Sequence, residues 1–315
     1  MDLATKSSLA VAAETLARSY RLVLYQGNVY MPVDFKSGEL GPTLPARMVW
    51  LPLTRSEKRR LANAQSNILF ANDSEITNFD LMLKQFCQEE EDQRTALLVR
   101  DRDTLYQLSP RGALLEPDGQ FTPNFIQVPM VNIPEAKENV RKTIAEWVGS
   151  DEDAESLLSH LATILSPGWS AVKYVLLIGE GRNGKGVLLK MINDLFGQQN
   201  ISNITRQQMA ERLPVCTELN GKLLNLIYDG EMAYIKDSSM EKTLIAGEPG
   251  FVRMLYENGT TEVCTNALFI EALNEEPKAR DKSSALQKRL SRFLFLNVYP
   301  LNRTFEKKMR RTQVL

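Results

Sequence analysis

The sequence predicts an α/β protein with a largely parallel sheet in its C-terminal half, preceded by a small helical segment and a mixed, mostly β N-terminal domain. From residue 174 onward, apolar runs typical of buried strands alternate with helical runs, which is the pattern of parallel strands joined by crossover helices. Before residue 130, short strand-like runs are separated by turn residues instead. We therefore divide the chain into residues 1–132, 133–170, 171–300 and a basic C-terminal tail at 301–315.

Length and composition exclude several classes of protein. The 315 residues carry 38 Lys and Arg against 39 Asp and Glu, a net charge of −1, which excludes a histone-like protein that binds nucleic acid through its overall charge. Three widely spaced cysteines (Cys87, Cys216, Cys264) and one histidine (His160) are too few for a disulfide framework, a zinc knuckle or a His-based metal site. No apolar run approaches the roughly 18 residues of a membrane span, so a cytoplasmic protein without a membrane partner is expected.

Short β-rich runs predict the strands of the N-terminal domain. Residues 21–33 contain two such runs around Gly27-Asn28, a hairpin signal, and further strands are predicted at 95–100, 104–108 and 125–128. One amphipathic helix is predicted at 78–91, where Phe79, Leu83 and Phe86 recur at helical spacing.

The C-terminal half begins with two predicted helices, at residues 135–148 and 151–165, whose apolar residues recur at helical spacing. The α/β domain follows as alternating strand-like and helical runs, at residues 174–178, 186–196, 222–228, 239–246, 267–273, 286–289 and 293–298. This alternation indicates a largely parallel sheet.

A glycine-rich motif stands between the first strand and the first helix of that domain. It reads Gly179-Glu-Gly-Arg-Asn-Gly-Lys185, the spacing of a phosphate-binding loop in its required strand–loop–helix context. Glycines let backbone N–H groups turn inward around a phosphate, the helix N-terminus adds partial positive charge, and the lysine reaches the β- and γ-phosphates. The candidate nucleotide-binding residues are Gly179, Gly181, Asn183, Gly184, Lys185, Gly186 and Val187.

One position departs from this motif. The residue after the lysine is normally Ser or Thr, whose hydroxyl binds Mg²⁺, but here it is Gly186. The metal could instead be held through water and acidic groups further along the chain. The sequence therefore predicts nucleotide binding and leaves open how efficiently the nucleotide is hydrolysed.

Two acidic residues follow the apolar run at 222–228, namely Asp229 and Glu231. In this layout one carboxylate orients Mg²⁺ and the other polarises the attacking water. Because Gly230 separates them, the sequence leaves open which does which. We assign Asp229 to the metal and Glu231 to the water, and keep both as candidate Mg²⁺ ligands.

The order of these motifs resembles the superfamily 3 helicases, in particular the helicase domain of phage, plasmid and poxvirus-type primase-helicases, over roughly residues 135–300. Beyond the glycine-rich loop and the acidic pair, the resemblance rests on four stretches: Lys242-Thr-Leu-Ile-Ala-Gly-Glu-Pro-Gly250, Arg253-Met-Leu-Tyr256, Ala272-Leu-Asn-Glu-Glu-Pro277 and Ala285-Leu-Gln-Lys-Arg-Leu290. Three features depart from the family: Gly186, Glu248 where the family has Asp, and the split acidic pair.

The resemblance implies a P-loop AAA+-like ATPase that uses ATP and Mg²⁺. It implies an ATP-dependent homo-hexameric DNA helicase that translocates on single-stranded or forked DNA during phage or mobile-element replication, in the cytoplasm of a bacterial host. It places Asn274 as the sensor asparagine and Arg289, with Arg292 in reserve, as the arginine finger of a neighbouring subunit. A primase, polymerase or initiator of the same element is a candidate partner, and the N-terminal domain is expected to serve as a collar, docking or DNA-entry domain.

The DNA-contacting element is expected between the acidic pair and the sensor. Residues 255–263 carry Asn258-Gly259 between strand-prone residues, a strong hairpin signal, and in this helicase class such a hairpin projects into the channel of the ring. The candidate DNA contacts are Lys242, Arg253, Tyr256 and Asn258. The basic cluster at 303–311 is either a DNA-contacting tail or a solvated helix end.

A second function stays open at this point. Gly186 also favours a nucleotide-binding P-loop scaffold or loader that binds ATP with weak or no hydrolysis.

Overall fold

The computed structural model describes residues 3–90, 97–109, 113–128, 134–166, 174–230, 238–254, 259–276, 288–300 and 304, with side chains from residue 8 onward. Its helices are α1 (Leu3–Tyr20), α2 (Arg55–Ser66), α3 (Asp73–Phe86), α4 (Pro134–Val148), α5 (Asp151–Ala162), α6 (Lys185–Phe196), α7 (Arg206–Ala210) and α8 (Ser239–Ile245). Short 3-10 helices lie at Pro45–Arg47, Thr163–Leu165, Gln198–Asn200 and Pro214–Leu219.

The strands of the N-terminal half form two four-stranded sheets. They are β1 (Val23–Tyr25), β2 (Asn28–Asp34), β3 (Met48–Pro52), β4 (Gln88–Glu89), β5 (Leu97–Asp101), β6 (Thr104–Leu108), β7 (Leu114–Leu115) and β8 (Phe125–Gln127). The first sheet has the order β3-β2-β1-β4 and the second the order β7-β6-β5-β8.

The strands of the C-terminal half form a five-stranded sheet and a separate two-stranded ladder. They are β9 (Tyr174–Ile178), β10 (Ile201–Ser202), β11 (Leu224–Ile227), β12 (Gly250–Arg253), β13 (Thr260–Val263), β14 (Leu268–Leu273) and β15 (Leu290–Leu294). The larger sheet has the order β10-β11-β14-β9-β15, and each neighbouring pair in it is parallel. The predicted α/β fold with a parallel sheet is therefore confirmed.

Both faces of the five-stranded sheet are covered, which explains why its strands read as continuous apolar runs. One face packs on α4, α5 and α6 through a core that includes Trp147, Val175 and Leu189. The other face packs on α7, α8 and the two-stranded ladder through residues such as Leu176, Leu244 and Val252. Strand β15 begins at Leu290, earlier than the predicted 293, because its first residue pairs with Tyr174 at the start of β9.

The N-terminal domain contains more helix than the sequence pattern indicated. Helix α1, which the prediction missed, buries Leu9, Ala13 and Leu16 in the core that β2 and β3 share. Helix α2 was missed as well, although its cap residue Thr54 forms a capping box with Glu57. The apolar face of a sheet needs such a cover, and small alanines give a weak apolar signal.

Two element boundaries in this region also differ from the prediction. The first hairpin turns at Gln26-Gly27, because Tyr25 pairs with Asn28, and both turn residues have positive φ values of 47° and 76°. Helix α3 begins at Asp73 rather than 78 because Asn72 caps it, accepting a hydrogen bond from the Glu75 amide at 3.0 Å.

The second N-terminal sheet contacts both halves of the chain. Val99 and Ile126 pack into the core of the α/β domain, whereas Leu98 and Leu105 pack into the N-terminal core. Nearby, the buried Asn124 amide donates to Asn200 Oδ1 at 3.0 Å and to the Gly221 carbonyl at 2.8 Å. The domain limit at residue 132 stays a prediction.

Within the part of the chain that the structure describes, no helix has the length and apolar character that crossing a membrane requires.

Candidate functional site

The glycine-rich loop (residues 179–185) begins at the carboxyl end of β9, in the interior of the five-stranded sheet. Its Gly179 amide donates to the Leu273 carbonyl at 3.0 Å, which holds the loop beside the end of β14. In the sheet, β9 lies between β14 and β15, but the next strand along the chain is β10, the outermost strand on the other side of β14 and β11. In open α/β sheets such a crevice at the carboxyl ends of the strands is where ligands bind.

Two glycines of the loop are required by close contacts. Gly184 has φ +99°, and a Cβ on it would lie 2.6 Å from ring atoms of Trp147 on α4. Gly179 has φ +154°, and a Cβ on it would collide with the carbonyl oxygen of Phe295. Gly181 is different, because a Cβ there would meet no described atom within 4 Å.

The Lys185 ammonium group points into the loop. It donates to the Gly179 carbonyl, to the Glu180 carbonyl at 2.9 Å and to Asn183 Oδ1 at 3.1 Å. Burial lowers the pKa of Lys185, and the nearby Asp229 carboxylate partly opposes that shift. Asn183 is itself fixed, since its Nδ2 donates to the Phe295 carbonyl at 2.9 Å.

The first turn of α6 leaves space next to the loop. A Cβ on Gly186 would meet no described atom within 4 Å, and Gly186 has no positive φ. Val187 is half-buried and packs against the core beneath the helix. The structure therefore leaves room at position 186 for the hydroxyl side chain that the motif usually carries there.

Asp229 and Asn274 lie at the same edge of the sheet as the loop. Asp229 follows β11 and is exposed, and the amide of the next residue, Gly230, donates to the Ala272 carbonyl at 2.8 Å. Asn274 follows β14 directly and is also exposed. The loop, Asp229 and Asn274 are thus brought together, while Glu231 lies outside the described residues.

Arg289 lies at the amino ends of the strands, whereas the glycine-rich loop lies at their carboxyl ends. It precedes Leu290, which pairs with Tyr174 at the start of β9, whereas the loop follows the end of β9. Within one chain Arg289 is therefore not brought to Lys185. Arg292, further along β15, places its Nε 2.9 Å from Glu276 Oε1.

Two antiparallel strands lie on either side of the predicted hairpin turn. Arg253 of β12 pairs with Thr260 of β13; of the two predicted turn residues, Asn258 lies outside the described residues and Gly259 has φ +119°. Strand β12 packs on α8, where a Cβ on Gly250 would lie 2.5 Å from Met240.

Two of the four predicted DNA contacts, Lys242 and Arg253, belong to the described residues. Arg253 is exposed on β12, and Lys242 is half-buried on α8. Tyr256 and Asn258 lie outside the described residues. Asn220 anchors the hairpin beside the amino end of β11, donating to the Glu262 carbonyl at 3.3 Å and accepting from the Cys264 amide at 3.0 Å.

Comparison with known proteins gives likeness in fold. Over most of its length the chain resembles the NrS-1 C-terminal region. One A-form apo structure of that region is 14% identical to this chain and superposes with a TM-score of 0.51. The match covers 90% of this chain and 63% of the other. A second A-form apo structure gives 14% identity and a TM-score of 0.50 over the same shares. This chain therefore spans 63% of the length of that neighbour, and at such identity the likeness concerns the fold alone. No protein-family model and no curated protein matches the chain.

A buried polar cluster beside the site was missed by the sequence patterns. It consists of Tyr174, Arg206, Glu241 and Glu271. Arg206 forms a two-point ion pair with Glu241, at 2.8 and 3.2 Å, and the Tyr174 hydroxyl donates to Glu271 Oε2 at 3.1 Å. The available signal was Glu271 itself, a charged residue inside the otherwise apolar run 267–273.

Of the two candidate Mg²⁺ ligands, Asp229 belongs to the described residues and Glu231 does not. Among the described residues, no three His, Cys, Asp or Glu side chains converge on one point. Mg²⁺ is usually bound through one or two carboxylates together with water and the phosphates of a substrate. Asp229, at the edge of the sheet beside the loop, fits that mode of binding.

Proposed function

We propose that this chain is the ATP-hydrolysing motor of a homo-hexameric superfamily 3 DNA helicase, with an AAA+-like P-loop domain, working on single-stranded or forked DNA in phage or mobile-element replication. The observation that carries the proposal is the shared edge of the parallel sheet, where the glycine-rich loop with Lys185, the Asp229 carboxylate and Asn274 meet.

The order of the strands supports hydrolysis at this edge. Strand β14 lies between β9 and β11, so two strand spacings, about 10 Å, separate the loop from Asp229. This gap has room for a γ-phosphate, a metal ion and a water molecule. Lys185 contacts the phosphates, Asp229 holds Mg²⁺ together with water, and Glu231 polarises the attacking water. Asn274 hydrogen-bonds the water or the γ-phosphate.

Arg289 enters this scheme through a neighbouring subunit. Within its own chain, Arg289 lies at the amino ends of the strands, away from the loop at their carboxyl ends. If Arg289 completes a nucleotide site, that site therefore belongs to a neighbouring subunit. An arginine in this role stabilises the charge that develops during phosphoryl transfer and is worth about 10³–10⁵ in rate. Head-to-tail contacts of this kind close into rings, in keeping with a hexamer.

The alternative function is a scaffold or loader that binds ATP and hardly hydrolyses it. Gly186 supports it, because Mg²⁺ loses the hydroxyl ligand that the motif normally supplies. Both functions need the loop, so nucleotide binding alone does not separate them.

A DNA-stimulated ATPase assay tests the proposal. We expect turnover that single-stranded DNA stimulates, and its loss in Lys185→Ala with the thermal unfolding profile retained. Lys190→Ala is the matched control, since Lys190 is an exposed lysine of the same helix. Binding of ATP without measurable turnover supports the scaffold instead, and wild-type turnover in Lys185→Ala contradicts the nucleotide site.

DNA binding is tested by its dependence on salt. Each phosphate neutralised on a single strand contributes about −0.7 to the slope of log affinity against log salt, so one contact from each of about six subunits gives a slope near −4. We expect Arg253→Ala to flatten this slope and Arg253→Lys, which keeps the charge, to retain it. If truncation after residue 302 removes the slope while Arg253→Ala leaves it unchanged, DNA is held by the tail and not by the channel.

A further inference from the structure

Glu271 is a buried carboxyl group in the middle of β14. Only 2% of its surface is exposed, and the Tyr174 hydroxyl, reaching across from β9, donates to its Oε2 at 3.1 Å. Burial raises the pKa of Glu271 to about 7. A carboxyl group in such a place costs folding free energy, which an aliphatic residue there would avoid.

Arg206, the arginine next to Glu271, does not form an ion pair with it in the structure. Arg206 directs its Nε and Nη2 at the two oxygens of Glu241, and its guanidinium lies 5.8 Å from the centre of the Tyr174 ring. Its charge lowers the pKa of Glu271, but less than burial raises it. The ion pair in this cluster is therefore that of Arg206 and Glu241.

The other side of Glu271 contacts Gly230, the residue that follows Asp229. A Cβ on Gly230 would collide with Glu271 Oε1 and would lie 2.7 Å from its Cγ and Cδ. Gly230 has no positive φ, so the backbone conformation alone does not demand glycine. It is the carboxyl group of Glu271 that leaves no space for a side chain at position 230.

We propose that Glu271 is a positioning residue for hydrolysis: held by Tyr174, its carboxyl group fixes the backbone at Gly230 and thereby sets the direction of the Asp229 carboxylate. This inference rests on the proposed ATPase function. It accounts for the glycine that splits the acidic pair, since the residue between Asp229 and Glu231 packs directly on Glu271. It also links β9, which bears the glycine-rich loop, to β11, which bears Asp229, through the strand between them.

The test is a rescue experiment at Gly230 and Glu271. We expect Gly230→Ala to lower kcat about tenfold or more, because a misplacement of about 1 Å is enough for such a loss, with little change in nucleotide affinity. Glu271→Ala removes the obstructing carboxyl group, so the double variant Gly230→Ala/Glu271→Ala should turn over faster than Gly230→Ala. Contacting residues show this kind of non-additivity.

The dependence of ATP turnover on Mg²⁺ concentration distinguishes a positioning role of Glu271 from a role in stability alone. Glu271→Ala should raise the Mg²⁺ concentration for half-maximal turnover, whereas Glu271→Gln, which keeps the shape and the acceptor for Tyr174, should stay near the wild-type value. A variant that only loses stability unfolds at a lower temperature and keeps the wild-type Mg²⁺ response below it. Thermal unfolding of each variant, with a fluorescent ATP analogue as the binding probe, identifies any that do not fold.

The outcomes distinguish this inference from the proposed function. If the wild-type protein turns over ATP and Gly230→Ala does so equally well, or if the double variant is no better than Gly230→Ala, the positioning role is wrong and the ATPase stands. If the wild-type protein binds no ATP analogue, the proposed function is wrong and this inference falls with it.

Discussion

The indole ring of Trp147 packs directly on Gly184, so closely that a Cβ on residue 184 would lie 2.6 Å from its ring atoms. Trp147 belongs to α4 and is only 3% exposed. The helical segment that precedes the α/β domain therefore forms one wall of the glycine-rich loop. Phe295, which follows β15, forms another by accepting from Asn183.

Gly184→Ala tests this contact. The new methyl group meets the Trp147 ring, and the φ of +99° is unfavourable for alanine, so we expect a loss of about 1–3 kcal/mol in the free energy of unfolding together with weaker ATP binding. Urea unfolding and titration with a fluorescent ATP analogue measure the two effects.

Gly181→Ala is the matched control for that variant. It lies in the same loop, has no positive φ and would meet no described atom within 4 Å, so it should retain the wild-type free energy of unfolding. Equal stability losses in the two variants would contradict the role of Trp147.

Position 186 offers a gain of function. Space for a side chain is open there, so both Gly186→Thr and Gly186→Ala should fold. The threonine alone supplies a hydroxyl for Mg²⁺, and we expect Gly186→Thr to lower the Mg²⁺ concentration for half-maximal ATP turnover and to raise kcat. A Gly186→Thr protein that behaves like Gly186→Ala would show that Mg²⁺ is held elsewhere.

Glu271 should make stability depend on pH. Its pKa is raised by burial from 4.5 to about 7 in the folded chain, so between these values the folded state holds a proton that the unfolded state has released. The free energy of unfolding therefore falls as pH rises through this window, by up to about 3 kcal/mol. Below pH 4.5 this contribution is fully present.

Glu271→Gln is the variant that isolates this contribution. Arg206, Glu241 and Tyr174 face the same carboxyl group and stay in place, so the difference between the wild-type and variant curves of unfolding free energy against pH reports on Glu271. Parallel curves between pH 4.5 and 7 would mean that Glu271 titrates normally.

Mixing two inactive variants tests whether Arg289 acts across a subunit interface. Arg289→Ala and Lys185→Ala should each hydrolyse ATP at least about 10³-fold more slowly than wild type. In an equimolar mixture, half of the subunits offer an intact arginine and half an intact lysine, so about a quarter of the interfaces of a ring regain both. ATPase activity near that fraction is expected once subunit exchange has been verified; a mixture as inactive as its components argues against a shared site.

The local part of the site could be predicted from the sequence. An apolar run, two glycines at fixed spacing and a following helix predict a strand–loop–helix unit, and β9 and α6 lie at residues 174–178 and 185–196. Asp229 and Asn274 could be predicted to lie near the loop, because carboxyl ends of parallel strands share one edge of a sheet. Patterns of this kind depend on residues a few positions apart.

The missed features depend on distant residues. Helix α1 went unrecognised because its buried face is largely alanine, whose weak apolar signal becomes meaningful only against the sheet that it covers. The sequence also did not specify that Arg253 of β12 pairs with Thr260 of β13, or that β12 packs on α8 at Met240.

By itself, therefore, the sequence determined the α/β class, the glycine-rich loop and the strand ends that carry Asp229 and Asn274, because hydrophobic periodicity and turn chemistry act over short stretches of chain. Only the tertiary structure decided that Trp147 and Phe295 enclose the loop, that Arg289 lies at the opposite end of the strands from the loop, and that Glu271 packs on Gly230. The reason is physical: these relationships follow from strand register and from close packing between segments far apart in the chain. The sequence around Glu271 does not indicate that this residue contacts Gly230.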